Sequence, residues 1–235
     1  MPLQTLWAGA DQHRATGTSL AAILPIALVG AGTYYFGSAT PQADLPIAAS
    51  LVVGGAAGVI AGSFAAQKIS ERALRMFVAL LLFAVGLKDV HDAAFGSALV
   101  AHTAWSAGLG WPQYVVMAVC GLGIGVMSGL AGLGGGVLIV PLLVIGFGVP
   151  ERIAQGTSLI AILPTAAIGA IVHQANGEVD VRAAGIIGAA GVPAAIAGSL
   201  LALWVPQRTL LGLFGVFLVF AAVRTWPWGK AIREA

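Results

Sequence analysis

Charged residues are scarce in this sequence, and their scarcity excludes most soluble proteins. Only 9% of the 235 residues are Asp, Glu, Lys or Arg, whereas a typical globular protein has about 25%. Because 59% of the residues are hydrophobic and the mean hydropathy is +0.96, most of the protein surface cannot be in contact with water. The net charge is +2, and the basic residues form no dense patch in the sequence, so nucleic acid is not an expected partner. We therefore predict a polytopic membrane protein.

The sequence also lacks paired cysteines and the motifs of common enzymes. The single cysteine, Cys120, excludes an intramolecular disulfide and falls inside an apolar run, where a packing role is expected. No G-x-x-x-x-G-K-[ST] loop is present to hold ATP. Ser128 is not in a G-x-S-x-G context, and the histidines fall at the ends of apolar runs or between them, which argues against a serine hydrolase. We expect no enzymatic activity, no catalytic residue, no metal and no cofactor.

Apolar runs fill the chain instead, at lengths near the ~20 residues that cross a bilayer as a helix. The apolar segment at 136–147 would cover only about 18 Å as a helix, which is too short to cross alone. The predicted fold is an all-α polytopic membrane protein with about seven transmembrane helices and one half-helix. The predicted spans are 17–37, 45–67, 72–90, 113–132, 155–174, 181–204 and 207–226.

An internal repeat relates the two halves of the sequence. The stretch "GTSLAAILPIALVGA" (17–31) returns as "GTSLIAILPTAAIGA" (156–170), with 11 of 15 positions identical. Repeats of this kind are typical of secondary transporters. The predicted organisation is a first transmembrane repeat, a connector, a second transmembrane repeat and a tail, at 1–90, 91–112, 113–228 and 229–235.

The distribution of Lys and Arg favours a cytoplasmic N-terminus and an inverted second repeat. Short cytoplasmic loops are enriched in Lys and Arg, and the loop after the second span holds Lys68, Arg72 and Arg75. If 113–147 returns to the side on which it starts, eight of the eleven Lys and Arg residues fall inside and three outside. If it crosses fully, the division is six against five. We therefore favour inverted repeats.

Small residues recur at four-residue spacing in several spans. In lipid, helices associate through close backbone contact rather than a hydrophobic drive, so such ridges are expected to pack against neighbouring helices. The ridges are Gly54, Gly58 and Gly62, their counterparts Ala190, Ala194 and Gly198, and a third ridge of Gly121, Gly125 and Gly129.

A glycine-rich break, "GLGGG" at 132–136, precedes the half-helix. A helix that starts inside the membrane directs free backbone N–H groups and a positive dipole end at its ligand, which suits an anion. Broken backbone at membrane depth persists only beside protein or a water cavity. We predict that Gly134, Gly135 and Gly136 are backbone donors of an anion site. A purely structural kink is the alternative.

The repeated Gly-Thr-Ser provides the second set of candidates. Thr and Ser ahead of an apolar run are ordinary N-caps, and that role remains an alternative to substrate binding. Pro25 and Pro164 follow seven residues after each Thr, and we predict that both kink their helices and free a carbonyl. The candidate substrate-binding hydroxyls are those of Thr18, Ser19, Thr157 and Ser158.

The quoted residues also resemble a known family. "GLGGGVLIVPLL" followed by "RIAQGTSL", and later "HQANGEVDVRAA", is similar to the TauE/SafE family of sulfite exporters and related permeases. The resemblance implies an inner-membrane protein of bacterial type, built from two related modules, that transports small anions such as sulfite or organosulfonates. The chain departs from the pattern in one place: Pro141 aligns with Pro2, so the first repeat is expected to be truncated at its N-terminus, without its glycine-rich segment.

The sequence thus predicts a multi-pass secondary transporter of the cell membrane that carries a small, sulfur-containing anion. The alternative is a non-transporting membrane scaffold whose glycines only allow tight packing. No charged residue lies in the middle of a predicted span, which argues against a carboxylate-based pump. The expected partners are the anion and the lipid bilayer. The sequence leaves the oligomeric state open, a homo-oligomer included.

Overall fold

The computed structural model describes residues 12–65, 71–95, 110–131 and 136–226. Within these ranges the regular elements are helices, with no strand, so the predicted all-α class is confirmed. In chain order they are α1 (Gln12–Phe36), α2 (Leu45–Ala65), α3 (Glu71–Phe95), α4 (Trp111–Ala131), α5 (Gly136–Pro141), a π-helical turn (Leu142–Gly146) that continues α5, α6 (Glu151–Ala175), α7 (Val181–Trp204) and α8 (Gln207–Thr225).

Six of these helices are long and apolar enough to cross a membrane, namely α1, α2, α4, α6, α7 and α8. They correspond to six of the seven predicted spans. The remaining predicted span lies in α3, which has 25 residues but carries Lys88, Asp89 and Asp92 in its C-terminal part. This charge distinguishes α3 from the other long helices.

Aspartates at equivalent positions of the two repeats cap α2 and α7. The Asp44 Oδ1 atom accepts a hydrogen bond from the Ile47 N–H at 2.9 Å, and Asp180 Oδ1 accepts one from the Ala183 N–H at 2.9 Å. Each carboxylate satisfies a backbone donor that the first helical turn leaves free, a contribution of about 1 kcal/mol. The caps explain why α2 and α7 begin where the sequence predicted.

The two helices with the repeated sequence, α1 and α6, pack side by side in opposite directions. Gly17, near the start of α1, lies against the Cβ atom of His173 near the end of α6. At the other end, the Tyr34 hydroxyl donates to Gln155 Oε1 at 2.6 Å. α1 also packs against α7, while α6 packs against α2. Each repeated helix therefore contacts both its own counterpart and the helix that follows that counterpart.

The glycine ridge of α2 packs directly against the backbone of α4. A Cβ atom added to any glycine of this ridge would overlap main-chain atoms of α4. Because successive glycines meet successive turns of α4, the two helices run parallel. Gly121 and Gly125 of α4 approach the α2 backbone in the same way. The predicted packing is confirmed for Gly54, Gly58 and Gly62, which face Ala118, Leu122 and Val126.

The equivalent ridge on α7 is exposed, so the packing prediction is wrong for it within the described part of the chain. Ala190, Ala194 and Gly198 all lie on an open face, and a Cβ atom added to Gly198 would meet nothing within 4 Å. The physical reason is the missing neighbour: α4 covers the α2 ridge, and the described residues supply no counterpart of α4 beside α7.

The half-helix starts beside the middle of α6 and runs back towards the start of α6. Gly136 lies against the Ile162 side chain, and the Leu143 carbonyl accepts a hydrogen bond from the Val149 N–H at 3.0 Å. Leu143 shares a buried cluster with Met117 from the start of α4. The segment from α4 to the π-helical turn therefore returns to the end of the bundle at which it begins.

Candidate functional site

A small cavity lies between α2, α4, α5 and α6. Three glycines, Gly55, Gly121 and Gly125, line it without side chains that would fill it, and Ile139 of the half-helix closes one side. Two hydroxyl side chains, those of Ser128 and Thr165, line it as well. We call it the Ser128–Thr165 cavity. It combines apolar walls with two hydroxyl groups and has room for about one water-sized group.

The two hydroxyls of this cavity differ in their hydrogen bonds. The Thr165 hydroxyl lies 3.0 Å from the Ala161 carbonyl and 3.1 Å from the Ile162 carbonyl, to which it donates. The Ser128 hydroxyl is buried and has no partner among the described residues. An unsatisfied buried hydroxyl is unfavourable by about 1–3 kcal/mol. Ser128 is therefore ready to donate to a ligand that enters the cavity.

One of the three predicted glycine donors, Gly136, lies within one helical turn of this cavity. Gly136 begins α5, and Ile139, one turn later, lines the cavity. A Cβ atom at position 136 would overlap the end of the Ile162 side chain, so a larger residue there would require Ile162 to move. Gly134 and Gly135 fall outside the described residues.

The repeated threonines form reciprocal hydrogen bonds between the two repeats. Thr157 Oγ1 accepts a hydrogen bond from the Asp44 N–H at 2.8 Å. Thr18 Oγ1 accepts one from the Asp180 N–H at 2.9 Å. Both threonines are buried, at 0% and 4% exposure. Each hydroxyl thus fixes the start of a helix that belongs to the other repeat.

The four candidate hydroxyls do not converge on one site. Because α1 and α6 are antiparallel, Thr18 lies at one end of the pair and Thr157 at the other, about 24 Å apart along the helix axis at ~1.5 Å per residue. Ser158 is buried and donates to the Gln155 carbonyl at 2.8 Å, and Ser19 is half-buried beside Thr18. Only Thr157 and Ser158 share a helix with the Ser128–Thr165 cavity.

The two predicted kink residues lie inside unbroken helices. α1 continues through Pro25 and α6 continues through Pro164. Pro164 directly precedes Thr165, whose hydroxyl donates to carbonyls of the preceding turn. Pro25 instead packs close to Gly188 of α7. The two equivalent prolines therefore have different surroundings. Pro164 adjoins a residue of the polar cavity, whereas Pro25 lies in a tight contact between α1 and α7.

Sequence reasoning did not identify four buried polar residues as site candidates: Ser128, Glu151, Asp89 and His173. It considered Ser128 only as a hydrolase nucleophile, although a serine beside repeated glycines in an apolar span is a signal for a polar cavity. The predicted span began at 155 and left Glu151 outside it, whereas α6 begins at Glu151 and buries it to 2% exposure. Asp89 is equally buried, at 1%. His173 is also buried, 2.6 Å from Glu178.

Six helices that are long and apolar enough to cross a bilayer define a multi-pass membrane protein. The sequence profile described as "Sulfite exporter TauE/SafE" matches residues 1–88 and 117–234. The chain belongs to this family of membrane transporters, and the resemblance noted in the sequence is confirmed.

Two curated relatives agree with this assignment. Both are described as "Probable membrane transporter protein", one from Xylella fastidiosa strain 9a5c and the other from strain Temecula1 of the same species. Each is 35% identical to this chain over 101 residues, which cover 43% of this chain and 39% of the relative. No solved structure matches the chain.

Proposed function

We propose that this protein is a secondary transporter that carries a small, sulfur-containing anion, such as sulfite or an organosulfonate, across the cell membrane. The Ser128–Thr165 cavity is the binding site, with Gly134, Gly135 and Gly136 as backbone donors at its edge. The observation that carries the proposal is the buried, unpartnered hydroxyl of Ser128 in this cavity beside the start of the half-helix.

The cavity can bind an oxyanion through neutral donors, without a positively charged side chain. Ser128 offers a hydroxyl donor, and a helix that begins beside the cavity offers backbone N–H groups and the positive end of its dipole. The described residues place no Lys or Arg in the cavity wall. A transported anion must be released again, and neutral donors hold it less tightly than an ion pair would.

We further propose that the two repeats have inverted topology, with a cytoplasmic N-terminus and α3 as a seventh span. The antiparallel packing of α1 and α6 supports inversion, as do the reciprocal bonds of Thr18 and Thr157. The return of the segment from α4 to the π-helical turn to its own end of the bundle supports it too. Inverted repeats with broken helices are a common basis of alternating access.

Only one of the two equivalent helix crossings is polar. At the crossing of α2 with α6, Gly55 lies against the Cγ2 methyl group of Thr165, whose side chain also lines the cavity. In the equivalent crossing, Gly191 of α7 faces Ile26 of α1. The same close approach therefore brings a hydroxyl to one crossing and an apolar side chain to the other. This asymmetry supports a single anion site in the described part of the chain.

Transport by purified protein in liposomes tests the proposal. Radiolabelled sulfite and methanesulfonate are offered to liposomes that contain the wild-type protein or Ser128→Ala. A hydrogen bond to a charged group contributes about 1.5–3 kcal/mol, so the variant should raise KM by roughly tenfold or more. Failure of the wild-type protein to move sulfite or any sulfonate offered would refute the function.

Ser50→Ala is the matched control for this measurement. Ser50 is a half-buried serine of a helix long enough to cross the membrane. Its hydroxyl donates to the Ile47 carbonyl at 2.8 Å and does not line the cavity. Its KM should equal that of the wild type. Equal KM values for Ser128→Ala and Ser50→Ala would show that the cavity is not the binding site.

A further inference from the structure

A second polar cluster lies at the end of the bundle where α6 begins, away from the Ser128–Thr165 cavity. The Tyr34 hydroxyl donates to Gln155 Oε1 at 2.6 Å, and Gln155 Nε2 donates to Glu151 Oε1 at 2.8 Å. The other oxygen of Glu151, Oε2, is buried and has no partner among the described residues. Only 2% of Glu151 is exposed.

Asp89 of α3 adds a second buried carboxyl group to this cluster. It is 1% exposed, and its Oδ1 atom has no partner in the described part of the chain. Its Cβ atom lies close to Gly215 of α8, where any side chain would collide with it. Arg152, next to Glu151, donates to the Val205 carbonyl just before α8, and Arg208 of α8 donates to carbonyls at the end of α3. Glu151 and Asp89 therefore lie at the same end of the bundle. Two acidic side chains thus share one buried region.

The cations around these carboxyl groups have other partners. Lys88 pairs with Asp92 at 2.7 Å on the surface of α3. Arg152 donates to the Val205 carbonyl. From α8, Arg208 donates to two carbonyls at the end of α3, those of Ala93 and Ala94. The Nε atom of Arg152 is buried without a partner among the described residues, and His91 of α3 lies 3.5 Å from Asp92. None of these described groups, nor Tyr34 of α1, forms an ion pair with Glu151 or Asp89.

Two buried carboxylates without a counter-ion are unfavourable, both because burial disfavours each charge and because like charges repel. Binding of a proton removes one of the two charges. The described residues contain no group of three His, Cys, Asp or Glu that would hold a metal ion. A proton is therefore the cation that fits this site best.

We propose that Glu151 and Asp89 form a proton-binding site that couples proton movement to anion transport. A proton from the adjoining water binds a free carboxylate oxygen and later returns to water, and no other bond is formed or broken. The cluster joins α1 and α3 of the first repeat to α6 and α8 of the second. Its charge therefore changes the packing between repeats. This inference rests on the proposed transport function.

The test separates proton movement from anion exchange. Liposomes loaded with a pH-sensitive dye receive a gradient of methanesulfonate, which stays ionised at neutral pH and carries no proton of its own. Wild-type protein should change the internal pH as methanesulfonate moves. Glu151→Gln should lose this pH change by tenfold or more while it still exchanges labelled methanesulfonate for unlabelled. Where Glu151→Gln does not fold, Asp89→Asn takes its place.

Asp92→Asn is the control, because Asp92 is an acidic residue of the same helix that has a lysine partner. It should retain the pH change of the wild type. Methanesulfonate movement by the wild type without a pH change, or driven by sodium instead, would overturn the proton assignment. A pH change of normal size in both Glu151→Gln and Asp89→Asn would overturn it as well.

A second readout keeps this proposal separate from the transport function. If the wild-type protein moves no anion, the infrared band of a protonated carboxyl group is measured in detergent at neutral pH. Presence of the band in the wild type and its loss in Glu151→Gln or Asp89→Asn supports the proton site, even though the transport function has failed. Absence of the band in the wild type contradicts the site.

Discussion

At the scale of single residues, hydroxyl groups have two different tasks in this protein. Thr18 and Thr157 accept backbone N–H groups of Asp180 and Asp44 and so join the repeats. Ser128 has no such partner in the described part of the chain and lies in a cavity. A hydroxyl with a structural partner stabilises the fold, whereas a buried hydroxyl without one is available to a ligand.

Replacement of Thr157 by valine should therefore lower stability. Valine keeps the shape of threonine but leaves the Asp44 N–H without its acceptor, a loss of about 1–3 kcal/mol. Thr18→Val should have an effect of similar size, because Thr18 occupies the equivalent position. The midpoint of thermal unfolding in detergent measures both.

Thr33→Val is the control for these two variants. The Thr33 hydroxyl donates to the Val29 carbonyl of the same helix at 2.9 Å, and that carbonyl keeps its place in the helix without it. The variant should unfold within about 0.5 kcal/mol of the wild type. A loss of stability as large as that of Thr157→Val would contradict the account of reciprocal bonds.

The sequence identified Thr18 and Thr157 as important but did not reveal their partners. A hydrogen bond from Thr157 to Asp44 joins residues far apart in the chain, and no local pattern encodes such a pairing. Glu151 was missed for a different reason. Apolar periodicity marks the membrane core of a helix, whereas α6 extends four residues before the predicted span and carries a buried carboxyl group there.

At the scale of helices, close packing depends on glycine only where a neighbour is present. The α2 ridge lies against the α4 backbone, while the equivalent α7 ridge is open in the described part of the structure. Six of the seven predicted spans, the half-helix and the α2 ridge match the described helices, because apolar length and small-residue spacing are local signals. The sequence could not predict which ridge has a neighbour, since that depends on the tertiary arrangement.

Alanine substitutions at Gly58 and Gly198 compare the two ridges directly. Gly58→Ala should destabilise the protein by about 1–3 kcal/mol, because the added methyl group overlaps the α4 backbone. Gly198→Ala should be neutral or should stabilise by up to about 1 kcal/mol, because alanine favours a helix more than glycine does. Thermal unfolding in detergent compares them, and equal midpoints would contradict the packing described for α2 and α4.

At the scale of the whole molecule, two related repeats surround different chemistry. The Ser128–Thr165 cavity lies between α2 of the first repeat and α4, α5 and α6 of the second, and Glu151 and Asp89 lie buried at the end of the bundle where α6 begins. The family and the multi-pass membrane class were predicted from sequence motifs and confirmed. Sequence motifs do not identify the anion or the coupling ion, because both depend on contacts between residues that are distant in the chain.

Access to Ser128 from water tests the central proposal most directly. Cys120→Ala removes the single native thiol, and Ser128→Cys then places one thiol in the cavity. A negatively charged methanethiosulfonate reagent that bears a sulfonate group should label this thiol in membranes, and methanesulfonate should slow the labelling by tenfold or more. An unreactive thiol, or labelling that methanesulfonate does not slow, would contradict an anion site at Ser128.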